Sequence, residues 1–411
     1  MDHGDVAWML TSSALVFIMT PGLAFFYGGM VKRKNVVNTI MMSAVLMGTA
    51  SILWVLIGFS LSFSGDVGGI FGNLNWFGLN FDSLTDSTLA YPNTLAFAIF
   101  QMMFAIITPA LITGAIAERM KFSSLVIFTT IWSIIVYYPL AHMVWGGGFL
   151  YQLGAVDFAG GNVVHISSGV SALVLSIVLG KRKNFGKASY HPHNAPFVFL
   201  GAALLWFGWF GFNGGSACAA NELAIHAFMT TNTAAAAAML SWLLIEVAKN
   251  GKPTLVGAST GMVIGLVAIT PGAGFVPIWA SIIIGALVSP ICYFFISVVK
   301  PKFGYDDALD VFGCHGIGGM WGGIATGLFA KSSINSAAQW DGLVFGDANL
   351  FVRQLAAIGV TIVVAVVGTL IAAGIASLIT KGIKVSKKDE ELGLDRSEHG
   401  ESGYPAFNGM D

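Results

Sequence analysis

Long apolar stretches alternate with short polar intervals along this chain, and that alternation constrains its fold more than any other feature. A bilayer-spanning helix takes about 20 mostly apolar residues. Eleven nearly uncharged stretches approach or exceed that length, at roughly 7–31, 37–63, 93–116, 123–143, 163–180, 196–213, 223–248, 255–271, 275–299, 312–330 and 351–380. A transmembrane β-barrel would show alternating segments of about ten residues instead, so the expected fold is an all-α integral membrane protein of eleven transmembrane helices. In this reading residues 1–380 form the membrane domain and residues 381–411 a polar tail. Charged residues make up 10% of the sequence, with 20 Lys and Arg offset by 21 Asp and Glu. Soluble chains carry about 25% charge. The composition excludes a soluble or disordered chain and offers no basic surface to a nucleic acid.

Lys and Arg concentrate in loops on the cytoplasmic side of membrane proteins. Lys32, Arg33 and Lys34 follow the first stretch, Arg119 and Lys121 the third, Lys181, Arg182, Lys183 and Lys187 the fifth, Lys249 and Lys252 the seventh, and Lys300 and Lys302 the ninth. With Lys381, Lys384, Lys387, Lys388 and Arg396 of the tail, 18 of the 20 cations fall on one side, leaving Lys331 and Arg353 on the other. An odd number of spans then puts the N-terminus outside and the C-terminus in the cytoplasm. Asp2, His3 and Asp5 provide no basic lead-in, and the first stretch is too long for a signal-peptide core, so it is expected to be retained as a span. Cys218, Cys292 and Cys314 are too few and too scattered for a disulfide framework or a zinc site. No metal or cofactor is implied.

Transporters are often built from two inverted halves with the substrate path at their interface. A chemical echo of that kind is present. At an offset of 150, Asp157, His165 and Gly169 fall on Asp307, His315 and Gly319, and at an offset of 186 Phe26-Tyr27-Gly28-Gly29 falls on Phe212-Asn213-Gly214-Gly215. The echo predicts a 5+5 inverted repeat, with the eleventh stretch a long extra helix. Span parity makes His165 enter from outside and His315 from inside, each a few residues into its span. For the two to meet at the midplane, their helices must begin deep in the membrane after glycine-rich re-entrant segments such as Trp145-Gly146-Gly147-Gly148. Such backbone is tolerated at that depth only when buried in protein or lining a cavity.

Of eight histidines, His142, His165, His226 and His315 lie in or near spans. A single intramembrane His most often packs between helices with its hydrogen bonds satisfied, and His142 and His226 are read that way. Two at equivalent repeat positions point instead to a pathway, because ionisable groups within membranes are costly and mark function. Most aromatic residues are expected in the interfacial belt and the core. Trp145 and Ser216 stand apart, both at outer ends of spans beside glycines. An aromatic face next to a hydroxyl acceptor suits a small cation, which needs a π-surface and an oxygen to replace lost water.

Pro21-Gly22-Leu23-Ala24-Phe25-Phe26-Tyr27-Gly28-Gly29, Ala141-His142-Met143-Val144-Trp145-Gly146-Gly147-Gly148, Asp157-Phe158-Ala159-Gly160-Gly161 running into His165, Trp209-Phe210-Gly211-Phe212-Asn213-Gly214-Gly215-Ser216 and Asp310-Val311-Phe312-Gly313-Cys314-His315-Gly316 carry a family likeness. In that order, and over essentially the whole chain, they resemble the ammonium transporter (Amt/MEP/Rh) family. The resemblance implies a multi-pass transporter of the cell membrane and not an enzyme. It implies a homotrimer embedded in lipid with one pore per subunit, moving ammonium or ammonia and accepting methylammonium as an analogue.

Carried over position by position, the resemblance implies an outer ammonium-recruitment site at Trp145, Phe104 and Ser216. Asp157 matches an acid near that site that orders the loop and adds negative potential. Phe104 and Phe212 match a stacked phenyl gate, and His165 with His315 a twin-histidine pore. Thr260 matches a hydroxyl on the inner side of the gate, where many relatives have Ser. Trp145 and Ser216 together are similar to the Amt branch, since the Rh branch typically lacks both and adds a twelfth span. Both pore positions are His, where some fungal members carry an acid at the first. Gly393 to Glu401 followed by Tyr404 resembles the regulatory tail of microbial and plant members, which in microbes docks a PII-type signalling protein together with the cytoplasmic loops. Without such a partner the same segment reads as a solvated charged tail.

These residue types suit ammonium chemically. A bare cation at the bilayer centre costs several kcal/mol or more, and neutral ammonia far less. Ammonium is an amine acid with a pKa of roughly 9 to 10, close to that of lysine, so its deprotonation at neutral pH must be assisted. Two imidazoles in line can hydrogen-bond ammonia and relay a proton. Potassium, similar in size, has no proton to lose. If the proton travels as well, uptake is electrogenic, and if it does not, the protein is a passive ammonia gas channel. An ammonium sensor would use the same site but feed a signalling domain, for which only about 30 residues remain. A membrane cytochrome would use the histidines as haem ligands and would show a haem band.

Overall fold

The computed structural model describes residues 2–81, 94–183, 185–186 and 191–404, so Lys187 and residues 405–411 of the tail lie outside the described residues. Helices order the chain: α1 (His3–Met30), α2 (Arg33–Phe63), α3 (Thr94–Ile116), α4 (Phe122–Gln152, interrupted at Gly146–Gly148), α5 (Gly161–Leu179), α6 (Ala195–Ala217), α7 (Glu222–Asn250), α8 (Leu255–Ile269), α9 (Ile278–Phe303), α10 (312–329) and α11 (Asn349–Thr380). Among the described residues, nine of these are long and apolar enough to cross a membrane. Of the remaining two, α8 has 15 residues, and α10 is thinned in hydropathy by glycines at 313, 316, 318, 319, 322, 323 and 327 and by His315. The described residues contain no strand beyond two isolated bridges, Val67 with Phe71 and Met120 with Lys384. The chain is a multi-pass, all-helical membrane protein.

Helices dominate because a hydrocarbon solvent offers no partner for backbone N–H and C=O groups, which a helix satisfies within itself. Burial then sorts the helices. α3 is enclosed from Phe100 to Ile116 without a break. By contrast α7, α9 and α11 keep Leu240, Leu244, Ile282, Phe294, Val363 and Leu378 exposed. An unbroken apolar surface of this kind is stable only in lipid or against another subunit. Helix pairs close over small residues, since association in lipid relies on tight van der Waals contact. A Cβ on Gly201 of α6 would stand 2.2 Å from the Phe26 nitrogen of α1, and one on Gly285 of α9 would stand 2.2 Å from the Ala234 oxygen of α7.

Several of the cation-bearing loops meet at one end of the bundle. Arg182 pairs with Asp306 (Nη2–Oδ1 2.8 Å) and with Glu118 (Nη1–Oε2 3.1 Å). Glu118 also accepts from the Lys32 backbone N–H at 2.8 Å and from Asn35 Nδ2 at 3.1 Å. Arg119 donates to the carbonyls of Gly180, at 2.9 Å, and Asp306. Burial pushes the Glu118 and Asp306 carboxyls up, but the facing Arg182 guanidinium and the neighbouring cations outweigh it and hold both below the usual range. Burial also draws the Arg119 guanidinium down to about 10. Two residues counted in the sequence as topological markers are therefore internal: Arg119 is 0% and Arg182 6% exposed. Breaking such a pair leaves a buried charge uncompensated, so the cluster locks the loops in register.

The tail is strapped across this same end. Asp395 Oδ1 accepts from the Asn38 N–H at the start of α2 (2.9 Å), Asn35 Oδ1 accepts from the Leu394 N–H (2.8 Å), and Glu398 Oε2 accepts from the Phe122 N–H of α4 (2.9 Å). His399 bonds Asn38 at 3.0 Å and Tyr404 bonds His193 at 2.7 Å. A carboxylate at a helix N-terminus satisfies donors that have no partner within the helix. At the opposite end, Arg353 donates to the Leu153 carbonyl at 2.8 Å and lies 3.9 Å from the Trp340 ring centroid.

Candidate functional site

The end opposite the cation-rich loops is called outer here. On α3 the spacing 97, 101, 104 puts Phe97, Gln101 and Phe104 on one helical face. Trp145 closes the long part of α4, and its indole Nε1 donates to the Asp157 carbonyl at 2.8 Å. Ser216, at the end of α6, donates its hydroxyl hydrogen to the Phe212 carbonyl at 2.8 Å, which leaves the oxygen lone pairs free to accept. Trp145, Ser216, Gln101 and Asp157 line one outer cavity of about 370 Å³.

Asp157 holds that cavity's wall without presenting its carboxylate to the cavity. Oδ1 accepts from the N–H groups of Gly160 (2.8 Å) and Gly161 (2.6 Å), and Oδ2 from those of Asn162 (2.7 Å) and Val163 (3.4 Å). These are the N-terminal donors of α5, which the helix itself cannot satisfy. Burial raises the Asp157 carboxyl, and the four N–H donors draw it back without cancelling the rise. Asp307 does the same for α10: its Oδ2 accepts from the Phe312 N–H at 2.7 Å, five residues on, as Asp157 Oδ2 does from Asn162. Burial takes the Asp307 carboxyl up to about 6.

Below the cavity, Phe104 and Phe212 stand with ring centroids 4.3 Å apart and tilted by 42°. Each is 1% exposed. Beneath them the His165 ring lies nearly parallel to Trp209 and to Phe212, at 5.4 Å and 6.1 Å. His165 and His315 then meet, with ring centroids 5.4 Å apart and Nδ1 to Nδ1 3.3 Å. The space around them is about 10 Å³, walled by Met19, Leu23, Ile107, Leu111 and Val263, roughly the lower limit for one water. Among its lining residues the imidazoles are the polar groups facing one another, and His165 Nε2 has no partner among the described residues.

The two histidines meet because α5 and α10 cross antiparallel and extremely close. A Cβ on Gly169 would fall 2.1 Å from the Gly316 nitrogen, and one on Gly319 would fall 3.0 Å from His165 Cβ. Each histidine also sits in a π-helical first turn, Gly161–Ile166 and Phe312–Ile317, a wider turn that re-aims side chains and recurs at functional sites. The lead-in to His165 is the Asp157-pinned segment and not the triple glycine suggested by the sequence. Gly146 and Gly148 instead let α4 approach the backbone oxygens of Ser62 and Gly69, at 2.1 Å and 2.6 Å from their virtual Cβ positions. Replacing Gly169 by alanine will force the crossing apart. Overpacking costs about 1–3 kcal/mol, so a lowered thermal midpoint is the expected readout, whereas a wild-type midpoint would show that the contact is not needed.

On the other side of the histidines an inner cavity of about 200 Å³ is lined by Phe26, Glu118, Arg182, Thr260, Asp310 and Cys314 among others. Thr260 donates to the Val256 carbonyl at 2.9 Å. The hydroxyl therefore lies beyond the histidine pair and not against the phenyl rings. Asp310 is paired with Lys300 at 2.5 Å. His142 bonds the Ser62 carbonyl and Asp66, and His226 the Val276 carbonyl at 2.8 Å, each a satisfied packing group. Two residues of the site escaped the sequence reading. Trp209 carries the His165 ring and is anchored by Thr270 at 2.9 Å, and its signal was the three-residue spacing to Phe212. Gln101 reaches the outer cavity, signalled by the same spacing to Phe104.

The chain matches the sequence model of the Ammonium Transporter Family over residues 7–404. It is 53% identical over 407 residues to the ammonium transporter of Bacillus subtilis, covering 98% of this chain and 99% of that one. The crystal structure of Saccharomyces cerevisiae Mep2 superposes with a TM-score of 0.87 at 33% identity, covering 99% of this chain and 94% of that one. A structure named Sensor Amt Protein gives a TM-score of 0.87 at 27% identity, covering 96% and 98%.

Proposed function

Because this chain belongs to the ammonium transporter family, its substrate is ammonium, and we propose that it recruits NH4+ in the outer cavity, strips one proton and conducts NH3 between His165 and His315, with the proton relayed alongside. The observation that carries this reading is the narrow, apolar-walled space around two histidines in contact, closed above by Phe104 and Phe212. A hydrated cation does not fit in about 10 Å³, and a bare one is strongly disfavoured there. Trp145 supplies a π-face, Ser216 a hydroxyl oxygen, and Asp157 holds the wall without neutralising the ion. Thr260 is the first hydroxyl met on the inner side.

Only one hydrogen can lie between the two Nδ1 atoms, so one imidazole donates there and the other accepts. The donor's Nε2 then bears a lone pair and the acceptor's Nε2 bears the hydrogen. A proton taken from NH4+ at the first Nε2 shifts the Nδ1 hydrogen across, and the far Nε2 releases its own. Ammonia passes as NH3 and is reprotonated in the inner cavity, so each cycle carries one positive charge. We assign the protein eleven spans with the N-terminus outside, a 5+5 inverted repeat supported by the paired Asp157 and Asp307 caps, a homotrimeric assembly in the cell membrane, and a cytoplasmic regulatory tail that docks a PII-type protein.

Net charge movement is worth about 2.3 kcal/mol per 100 mV, so an inside-negative potential will drive uptake. Liposomes containing the protein are expected to give an ammonium-evoked current absent from protein-free vesicles and from vesicles offered potassium. Ammonia flux without current would favour the passive gas channel. Neither flux nor current would favour a sensor, the reading raised by the likeness to a structure of that name.

A further inference from the structure

We propose that Gln101 is an additional ammonium ligand of the outer cavity, its amide oxygen accepting an N–H of the ion from the side of α3. The inference rests on the outer-cavity reading above and deepens it. Gln101 is 7% exposed, lines the cavity with Trp145 and Ser216, and its Oε1 is buried without a hydrogen-bond partner among the described residues. Buried acceptors in folded proteins are almost always satisfied, so an unpartnered amide oxygen on a residue that lines a cavity points to a donor that arrives with the ligand and is met by a turn of the amide. Ammonium brings four N–H donors and no acceptor. The other groups of the cavity are complementary but incomplete: the Ser216 oxygen accepts one donor, and the Trp145 ring faces the charge.

Position and chemistry both favour this residue. Gln101 stands one turn above Phe104 on the same face of α3, so an ion seated against its oxygen rests directly over the phenyl pair. A neutral amide oxygen orients the ion without cancelling its charge, whereas a carboxylate at the same place would stabilise the cation against the deprotonation that must follow.

The test uses Gln101→Met, which keeps length and helix preference and removes the acceptor. It compares this variant with wild type and Trp145→Leu in liposomes, by initial flux against concentration of ammonium and of methylammonium. Loss of a hydrogen bond to a charged group predicts a KM for ammonium raised about tenfold, and a raised KM for methylammonium too, since that ion keeps three N–H donors. A wild-type KM in Gln101→Met, with a raised KM in Trp145→Leu, overturns the role of Gln101 alone. Wild-type KM values in both variants overturn the outer-cavity reading and this inference with it. If the variant yields too little protein for flux, the rise in thermal midpoint on adding ammonium chloride, against choline chloride, is measured in detergent. A smaller rise than wild type supports the ligand role and an equal rise overturns it.

Discussion

Alanine in place of His165 will lower ammonium flux by about 100-fold or more, the usual loss when a positioned proton-transfer group is removed. The imidazole is held by contacts on three sides: Trp209 and Phe212 lie nearly parallel to it and His315 meets it at Nδ1. Alanine removes the near half of the proton path and leaves His315 Nδ1 buried without its partner. It also widens the narrowest space by most of an imidazole. The variant should therefore lose assisted deprotonation and, with it, exclusion of ions that cannot lose a proton. Liposome currents with ammonium and with potassium measure both effects, and a thermal midpoint near wild type keeps misfolding from mimicking the result. Retention of full ammonium current with potassium still excluded would remove the histidine pair from the mechanism.

Asp157→Ala is expected to be the most damaging change outside the pore. Four buried backbone N–H groups lose their acceptor at once, and each unsatisfied donor costs about 1–3 kcal/mol, so a loss on the order of 4 kcal/mol or more in stability follows. The effect spreads because the Asp157 carbonyl also anchors the Trp145 indole, so the outer cavity loses its aromatic wall together with the start of α5. Asp157→Asn retains one acceptor oxygen but turns an amide NH2 toward two donors, and it should fall between alanine and wild type. Thermal unfolding and the KM for ammonium read the two consequences separately. A stable Asp157→Ala protein with a higher KM would mean that the carboxylate acts on the ion and not on the fold.

Much of the membrane architecture is legible in the sequence because transfer into hydrocarbon is a local property: twenty apolar residues in a row announce a helix wherever they sit. Glycine-rich α10 is harder to read, since its glycines serve contacts with α5, α8, α9 and α11 that no window of sequence contains. The echo of Asp157, His165 and Gly169 in Asp307, His315 and Gly319 singled out two histidines that the structure brings into contact, and the capping of both helices by the paired aspartates supplies its physical meaning. Arg119 and Arg182 were counted as loop cations and are buried, Arg182 in ion pairs with Asp306 and Glu118 and Arg119 on the carbonyls of Gly180 and Asp306. The sequence does not show this because Asp306, whose carboxylate pairs with Arg182 and whose carbonyl accepts from Arg119, lies more than a hundred residues from either. Trp209 and Gln101 were indistinguishable from core residues until a ring was placed against one and a cavity against the other.

By itself the sequence determined that this protein is a multi-pass bundle of membrane helices, and it raised the expectation that two histidines and an aromatic–hydroxyl pair handle a small cation. Those are consequences of composition, period and spacing, which each segment carries alone. Only the tertiary structure decided that His165 and His315 touch, that Phe104 and Phe212 close the space above them, that Thr260 lies beyond the pair, and that Gln101 lines the cavity while its buried amide oxygen has no partner among the described residues. These depend on how closely α5 approaches α10, a distance set by two glycine contacts between segments about 150 residues apart, and hydrophobicity has no direction with which to specify it.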